Sequence, residues 1–482
     1  MAFVWRFFAH EDDYPDLDGE AACERLAHAL SVPTVDGPTP DRTDWAAFDE
    51  LVEFFRASFP HVFAAGAAER VGHSLLVDVP GSDPSLDPVM LMGHMDVVPQ
   101  VRGTEGDWTH PAFSGATDGT YVWGRGALDM KDQVMGELEA VEYVLAHGRP
   151  LRRRVLLCFG QDEETVQSGA RSIGRLLEER GVRVEFLVDE GDYEIFDTGE
   201  LGASGHFGMR VNLAEKGYAD VRLTVRSAGG HSSNPFGGTS LATLSEAIAR
   251  VARDRWPVEL VEVDRMMLDA LAPLVDEEPL AGLVRGGRAA IDANADEIAR
   301  LFLGKRDLFP LVTTTVAPTM IEGGSQQANV MPQDMSATVN FRMLPGVSKA
   351  DVLDRVRALV SDLPVEVELD EASSNDASRV SRADGYGFGA LRRVAARYFR
   401  DPELDEPLTL VPSMVVGATD ARMYEGVCDS CLRFSAFVAD RDEVARGVHG
   451  TDERITRRAY LQGVRFLIRL LEETCAEPVA EG

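Results

Sequence analysis

Two residues that can bind metals or carry protons lie inside the apolar stretch LMGHMDVVP, at His94 and Asp96. On a β-strand, side chains two positions apart point to the same face, so these two would stand together. Imidazole binds divalent metals, and a nearby carboxylate can orient the ring or act as a ligand itself. The pair alone fits equally well a buried histidine beside a surface aspartate, so the rest of the sequence has to decide.

Further acids and histidines occur elsewhere in the chain, several of them after predicted strands. They are Asp129 in GRGALDMKD, Asp162, Glu163 and Glu164 in QDEE, Asp189, Glu190 and Asp192 in VDEGD, and His449 in VHGTDE. Each has an ordinary structural explanation, such as helix capping for Asp129 or a solvated charge run for QDEE. Together, two histidines and several carboxylates have the composition of a two-metal hydrolytic site.

Such a site makes specific chemical demands. It needs a carboxylate that bridges the metals and further ligands on each side. It also needs a free carboxylate that takes a proton from the attacking water and passes it to the leaving amine. The adjacent Glu163 and Glu164 suit this division if one is a ligand and the other faces the water.

Strand and helix patterns alternate through the first half of the chain, which predicts a largely parallel sheet covered by helices. Strands are expected at HSLLVDVPG, DPVMLMGHMDVVP, RRRVLLCFGQDEE and VRVEFLVDEGD, with helices at MKDQVMGELEAVEYVLAHG and GARSIGRLLEERG. In such sheets, ligands bind beyond the carboxyl ends of the strands. The residues at such ends are His94, Glu163, Glu164 and Glu190.

The pattern then changes to β-α-β-β-α-β, the ferredoxin-like arrangement. We therefore expect an α/β catalytic domain, with a mixed, largely parallel sheet and flanking helices, formed by residues 1–214 and 372–482. An α+β lid domain of ferredoxin-like topology is inserted at residues 215–371. A helical stretch at about residues 256–306 is additional to that topology, and the sequence assigns it no function.

The composition limits the classes of partner. Among 482 residues the net charge is −32 and the isoelectric point about 4.7, which argues against nucleic acid or an anionic membrane. No apolar run reaches membrane-spanning length and the acidic N-terminal segment is a poor signal peptide, so we expect a cytoplasmic protein. Cys428 and Cys431 form one CDSC motif without a second metal-binding pair, which favours free thiols in a reducing compartment.

Nine motifs, in order, resemble those of the dizinc aminoacylase and carboxypeptidase S family, which also contains succinyl-diaminopimelate desuccinylase and carboxypeptidase G. The motifs are GHMDVVP, GRGALDMK, DEE followed by GA, VDEG, GGHSSNP, IEGGSQQANVMP, NFRMLPG, GATDARMY and HGTDE. They cover nearly the whole chain. The resemblance implies a catalytic α/β domain with a ferredoxin-like lid, in agreement with the pattern of strands and helices.

The resemblance also implies a role for each residue of the predicted site. It makes His94 and Glu190 ligands of one metal, Asp129 the bridge between the metals, Glu164 and His449 ligands of the second metal, and Glu163 the general base and acid. Asp189, beside Glu190, stays open as an alternative ligand. Asp96 would orient His94 through its ring. The implied cofactor is two Zn²⁺ ions, with Co²⁺ or Mn²⁺ as alternatives.

Residues of the lid complete the implied site. His231 of GGHSSNP resembles a histidine that polarises the scissile carbonyl, supplied in dimeric members by the partner subunit; a histidine in an ordinary turn is the alternative. Asn329 and Arg342 match positions that grip the substrate, and a guanidinium suits a two-point contact with a carboxylate. Gly323 and Gly324 would allow the backbone to approach the ligand.

Two stretches depart from the family pattern. Asp132 stands where the family often has glycine after the lysine of DMK. After DEE the chain has TVQSGA, where the family usually has a glycine pair before GA. Neither departure removes an implied ligand; both concern the shape of loops near the site and the access of substrate.

These observations predict a zinc-dependent amidohydrolase or metallopeptidase that cleaves an amide next to a free carboxylate, with N-acyl amino acids or short peptides as small-molecule substrates. A desuccinylase or deacetylase of a biosynthetic amino-acid intermediate is the alternative within the enzyme class. A metal-binding scaffold without turnover and a thiol redox protein are the alternatives outside it. A homodimer formed through the lid is an option that the resemblance leaves open.

Overall fold

The computed structural model describes residues 3–37 and 42–477; residues 1–2, 38–41 and 478–482, all within the predicted catalytic domain, lie outside them. The helices are α1 (Gly19–Ser31), α2 (Trp45–Ser58), α3 (Pro60–Ala65), α4 (Lys131–Ala146), α5 (Ser168–Glu179), α6 (Ser240–Arg253), α7 (Glu262–Leu271), α8 (Leu280–Val284), α9 (Arg288–Ala293), α10 (Ala295–Leu303), α11 (Lys349–Leu359), α12 (Tyr386–Tyr398), α13 (Arg441–Gly447) and α14 (Arg457–Thr474). The strands are β1 (Ala67–Val71), β2 (Ser74–Val79), β3 (Val89–His94), β4 (Ala116–Thr117), β5 (Tyr121–Trp123), β6 (Val155–Gly160), β7 (Phe186–Asp189), β8 (Phe196–Asp197), β9 (Phe207–Glu215), β10 (Gly217–Arg226), β11 (Gly230–His231), β12 (Thr315–Gly323), β13 (Val330–Met331), β14 (Asp334–Met343), β15 (Glu366–Leu369), β16 (Arg400–Asp401), β17 (Glu406–Pro407), β18 (Thr409–Val415), β19 (Cys431–Arg433) and β20 (Arg454–Thr456). None of the described helices combines the length and apolar character that a membrane span requires.

A central sheet has the strand order β1-β2-β6-β3-β7-β19-β9-β18, with β8 paired to β9. Its middle strands β6, β3, β7 and β19 are parallel, whereas β1 and β2 join as an antiparallel pair at one edge. Strand β3 is buried along its whole length, as expected for an apolar run in the middle of a parallel sheet. The predicted mixed sheet with flanking helices is confirmed.

A second sheet is antiparallel and has the order β12-β14-β10-β15. In chain order its elements run β10-α6-β12-β14-α11-β15, which is the ferredoxin-like topology expected from the sequence. Side chains of β10 alternate between buried and more exposed positions, because α6 and α11 contact this strand. Val221, Leu223 and Leu244 belong to the apolar core between the sheet and these helices. The predicted ferredoxin-like lid is confirmed.

The additional helices between α6 and β12 pack on the central sheet. Helix α7 contacts the edge strand β18, and Met267, Leu268 and Leu271 lie in the same apolar core as the central strands. These helices therefore extend the layer that carries the central sheet, although the sequence placed them within the lid segment. The exact domain boundaries at residues 214 and 371 remain a prediction.

The chain crosses between the two sheets twice, and the two crossings lie side by side. Backbone hydrogen bonds of 2.8 Å join Tyr218 and Asn375 in both directions, and the N–H of Ser378 donates to the carbonyl of Glu215 at 3.1 Å. The buried carboxylate of Glu215 pairs with the guanidinium of Arg433, with 2.5 Å between Oε1 and Nε. The two crossings therefore form one joint between the sheets.

Candidate metal centre

His94 ends strand β3, and its imidazole lies between two carboxylates. Nε2 is 3.1 Å from Oδ1 of Asp129, whereas Nδ1 is 3.0 Å from the backbone carbonyl of Asp96 and 3.4 Å from its Oδ1. Because β3 ends before Asp96, a shared strand face does not bring the pair together as the sequence suggested; the irregular segment after the strand does so. With Nδ1 engaged, the ring directs Nε2 towards Asp129.

The buried carboxylate of Asp96 also holds the loop that follows β6. Its two oxygens accept hydrogen bonds from the backbone N–H groups of Glu163, at 3.1 Å, and Glu164, at 3.0 Å. Strands β3 and β6 are parallel neighbours, so their carboxyl ends lie side by side. One side chain therefore positions both the ring of His94 and the start of the acidic loop.

Asp129 precedes α4 and lies between the two histidines. Its Oδ2 is 3.1 Å from Nε2 of His449, and this nitrogen is also 3.1 Å from Oε2 of Glu164. Two groups of potential metal ligands result, each with its ligand atoms within 4.8 Å of one another: His94, Asp129 and Glu190, and Asp129, Glu164 and His449. A carboxylate shared by both groups has the arrangement expected of a bridge between two metals.

Glu190, and not Asp189, belongs to the first group of potential ligands. Asp189 is the last residue of β7, and its Oδ2 accepts a hydrogen bond of 2.8 Å from the N–H of Ala421. Glu190 follows the strand, and the hydroxyl of Tyr193 donates to its Oε2 at 2.9 Å. The alternation of side chains at the end of a strand thus directs the two neighbouring acids to different partners.

The ionisable groups of this centre perturb one another strongly. Burial raises the pKa of Glu190, and the nearby carboxylates of Glu163 and Asp129 raise it further. Hydrogen bonds with Asp129 and Glu164 raise the pKa of His449 to about 10. Burial opposes ionisation of Asp129, yet hydrogen bonds with both histidines hold its pKa well below the usual range. A cluster of oxygen and nitrogen donors that favours positive charge fits Zn²⁺ or a similar divalent metal.

Glu163 lies beside the centre but in neither group of potential ligands. Burial raises the pKa of its carboxyl, and its Oε1 accepts a hydrogen bond of 2.8 Å from the amide of Gln167. An open cavity of about 680 Å³ borders this carboxylate, and its wall includes Glu164, Gln167, Arg171, Tyr218, Arg342, Asn375, Arg422 and His449. The carboxylate therefore faces a space large enough for a small substrate.

Arg342, predicted from the sequence to bind the substrate, lines this cavity from the lid. Its guanidinium lies over the ring of Tyr218, 4.5 Å from the ring centroid. Its Nη1 donates to the carbonyl of Val416 at 3.5 Å. The structure thus brings Arg342 to the same space as Glu163.

The other lid residues named from the sequence do not line the cavity of their own chain. His231 is exposed on β11, which pairs with β13, and the N–H of Ser232 donates to the carbonyl of Asn329 at 2.9 Å. His231 and Asn329 are therefore neighbours on the lid. Gly323, with φ of 95°, is the last residue of the exposed strand β12, and Gly324, with φ of 110°, directly follows it.

Three residues near the centre received no role from the sequence: Gln167, Tyr193 and Arg422. Arg422 lies in GATDARMY and Gln167 in TVQSGA, so both belong to stretches that the motif pattern had marked. Tyr193, three positions after Glu190, carried no signal, because a tyrosine beyond a strand has no characteristic spacing.

The CDSC motif lies in the core. Cys428 and Cys431 are buried, and neither takes part in a disulfide. Within the part of the chain that the structure describes, neither group of potential metal ligands contains a cysteine. These thiols are thus enclosed by the sheet and its helices.

Comparison with known proteins identifies relatives along most of the chain. Residues 90–473 match the model of peptidase family M20/M25/M40. The chain is 31% identical over 473 residues to probable carboxypeptidase S-like 2 of Dictyostelium discoideum, covering 96% of this chain and 87% of that protein. It is 32% identical over 457 residues to the N-fatty-acyl-amino acid synthase/hydrolase PM20D1 of Xenopus tropicalis, covering 94% and 85%. Its fold is similar to that of the M20 family metallo-carboxypeptidase Sso-CP2 from Sulfolobus solfataricus, with a TM-score of 0.65, 15% identity and coverage of 93% and 97%.

Proposed function

This chain belongs to peptidase family M20/M25/M40, and from that premise we propose a dizinc enzyme that acts on N-acyl amino acids or short peptides with a free carboxylate. The family and these relatives make it a metallohydrolase of amide bonds. The proposal adds the number and kind of metals, the substrate and the role of each residue. We also propose a cytoplasmic location, because all five cysteines are free of disulfides.

The shared position of Asp129 is the observation that carries the proposal. Its two oxygens each lie 3.1 Å from the Nε2 of a histidine, and Glu190 and Glu164 complete a group of potential ligands on either side. These residues fit two divalent metals, one held by His94 and Glu190 and the other by Glu164 and His449. When bound, the metals would lower the pKa of the attacking water and polarise the carbonyl of the scissile amide.

Glu163 is the proposed proton carrier. Its carboxylate borders the cavity without belonging to a group of potential ligands, so it is free to take a proton from the attacking water. The same carboxyl group then donates this proton to the nitrogen of the leaving amine. Asp96 supports both parts of the centre, since it binds the N–H of Glu163 and lies against the ring of His94.

The guanidinium of Arg342 supports a substrate that carries a free carboxylate. It lines the same cavity as Glu163 and His449, and its planar array of N–H donors matches a carboxylate. The names of two relatives, a carboxypeptidase S-like protein and an N-fatty-acyl-amino acid hydrolase, agree with this substrate class. We therefore assign Arg342 to the carboxylate next to the scissile amide.

A homodimer is part of the proposal, because His231 and Asn329 do not line the cavity of their own chain. Strand β12 forms the edge of the lid sheet and is exposed over residues 317–323, with Met320 at 56% and Ile321 at 59% of full exposure. An exposed apolar edge strand is a surface suited to pairing. We propose that a second copy covers this edge and that His231 of each chain polarises the carbonyl in the cavity of the other.

Release of free amino acid from a substrate panel tests the proposal. N-acetyl, N-succinyl and long-chain N-acyl amino acids and dipeptides are incubated with the zinc-loaded protein and with a Glu163→Gln variant. We expect release from at least one class and a loss of about 100-fold or more in the variant, with its zinc content unchanged. Release from N-succinyl substrates alone would favour the desuccinylase alternative. No release by protein that retains its metals would favour the metal-binding scaffold.

A further inference from the structure

The loop between Glu163 and α5 contains a non-glycine residue in a left-handed backbone conformation. Gln167 has φ of 55° and ψ of 30° and stands directly before the first residue of α5. Glycine adopts this conformation readily, whereas residues with a side chain rarely do. Gln167 belongs to TVQSGA, the stretch where the chain departs from a glycine-containing pattern. Residues with a side chain in such a conformation are concentrated at functional sites.

The side chain of Gln167 does not cap the helix that it precedes. The carboxylate of Asp162 does so instead, because it accepts hydrogen bonds from the hydroxyl of Ser168 and, at 2.8 Å, from the N–H of Gly169. The amide of Gln167 is therefore available for another partner. Its Nε2 donates to Oε1 of Glu163 at 2.8 Å.

Glu163 is thereby held at its backbone and at its carboxylate. Its N–H is bound by Asp96 at 3.1 Å, and its Oε1 is bound by Gln167. Over residues 3–37 and 42–477, no hydrogen bond engages the other oxygen, Oε2. Among the described residues, the amide thus distinguishes two otherwise equivalent oxygens and leaves one of them without a hydrogen bond, on a residue that lines the cavity.

We propose that Gln167 is a positioning residue for the general base. It orients the carboxylate of Glu163 so that Oε2 takes the proton from the attacking water and returns it to the leaving amine. The inference rests on the proposed function and extends it to a residue that acts through Glu163.

Three substitutions separate the hydrogen bond from the shape of the loop, since all three keep a side chain at the same backbone position. Gln167→Lys retains an N–H donor of similar reach, Gln167→Leu removes the donor, and Gln167→Glu replaces it with an acceptor of the same size. Zinc-loaded proteins are compared by kcat and KM on the best substrate of the panel, together with zinc content and thermal midpoint. We expect the smallest decrease in kcat for Gln167→Lys, a decrease of roughly tenfold for Gln167→Leu and the largest decrease for Gln167→Glu. KM and zinc content should stay unchanged.

Ser172→Ala is the matched control, because Ser172 is exposed on the same helix and, among the described residues, its hydroxyl bonds only to the carbonyl of Ser168, while alanine preserves the helix. We expect this variant to keep the wild-type kcat. A purely structural role for Gln167 would lower the thermal midpoint together with kcat and make the Leu and Glu variants alike, which would overturn the inference. Equal kcat values in the wild type and all three variants would also overturn it and leave the proposed function intact. Absence of hydrolysis by the wild type would refute the proposed function itself.

Discussion

The imidazole Nε2 of His449 lies 3.1 Å from Oδ2 of Asp129, and the other oxygen of that carboxylate faces a second histidine. Asp129 precedes α4 in the first half of the chain, whereas His449 follows α13 in the C-terminal part of the chain. Their contact therefore forms only when both parts of the chain have folded around the central sheet. The carboxylate belongs to both groups of potential ligands, so its loss should affect both of the proposed metals at once.

Replacing Asp129 by alanine is expected to lower zinc content from about two ions per chain to below one, because each group loses a ligand. His449→Ala is the comparison, since it removes a ligand from one group only and should leave about one ion per chain. Elemental analysis of the dialysed proteins measures both values. Loss of the same single ion in the two variants would contradict a bridging role for Asp129.

Asp96→Asn is expected to weaken zinc binding by about 10–100-fold, because the amide offers one acceptor where the carboxylate accepts two backbone N–H groups. Competition with a chelator measures the zinc Kd. Asp118→Asn is the matched control, since Asp118 also accepts several hydrogen bonds, in the turn between β4 and β5. If both substitutions changed the zinc Kd equally, Asp96 would have no specific effect on the centre.

Arg342→Leu is expected to raise KM by roughly 10–100-fold for substrates with a free carboxylate, since a hydrogen bond between charged groups contributes about 1.5–3 kcal/mol. Substrates whose carboxylate is amidated should show a smaller change. Arg226→Leu serves as the control, because Arg226 lies on the lid strand β10 and pairs with Glu366 outside the cavity. An unchanged KM in Arg342→Leu would remove the residue from substrate binding.

The change of stability between about pH 4 and pH 8 should depend on Asp264, in the first turn of α7. Burial raises the pKa of this carboxyl to about 8, from 3.8 in its ordinary state. Between these two values the folded chain keeps a proton that the unfolded chain has lost, so this group lowers the free energy of unfolding as pH rises through that range. Asparagine lacks the charge and can still accept the hydrogen bond of 3.2 Å from the N–H of Val261.

Asp264→Asn should therefore gain stability relative to the wild type as pH rises from 5 to 8, by about 1 kcal/mol or more. Chemical unfolding of the two zinc-loaded proteins at several pH values measures the difference. A difference that stays constant over this range would show that the carboxyl of Asp264 titrates alike in the folded and unfolded chains.

The sheets were predictable from the sequence because their signals are local. The apolar run of β3 and the helical pattern of α4 predict a buried parallel strand with its covering helix, and the alternation in β10 predicts a sheet with one covered face. The packing of α7 against β18 was not predictable. An amphipathic helix must bury its apolar face, but its pattern does not identify the surface that covers it.

Some residues of the site were predictable from strand geometry, others only from the order of the motifs, and one contact was not predictable at all. The convergence of His94, Glu163 and Glu190 follows from strand ends that meet at one edge of a parallel sheet. Asp129 and His449 lie in loops, so the sequence assigned them through the motif order and not through strand geometry. The bond between Gln167 and Glu163 depends on the backbone conformation of a single residue, which no periodicity encodes.

The side-by-side crossings between the two sheets have a consequence for how such a protein can diversify. Every residue of the two groups of potential ligands, and Glu163 with them, lies outside the segment from residue 216 to residue 377. Arg342 and His231 lie inside it. Because this segment enters and leaves at a single joint, mutations in it can accumulate without disturbing the proposed metal ligands, except in the helices α7 to α10, which share the apolar core of the central sheet. Selection for hydrolysis of a different amide substrate can then act on one continuous stretch of the gene, while the residues of the metal centre are inherited unchanged.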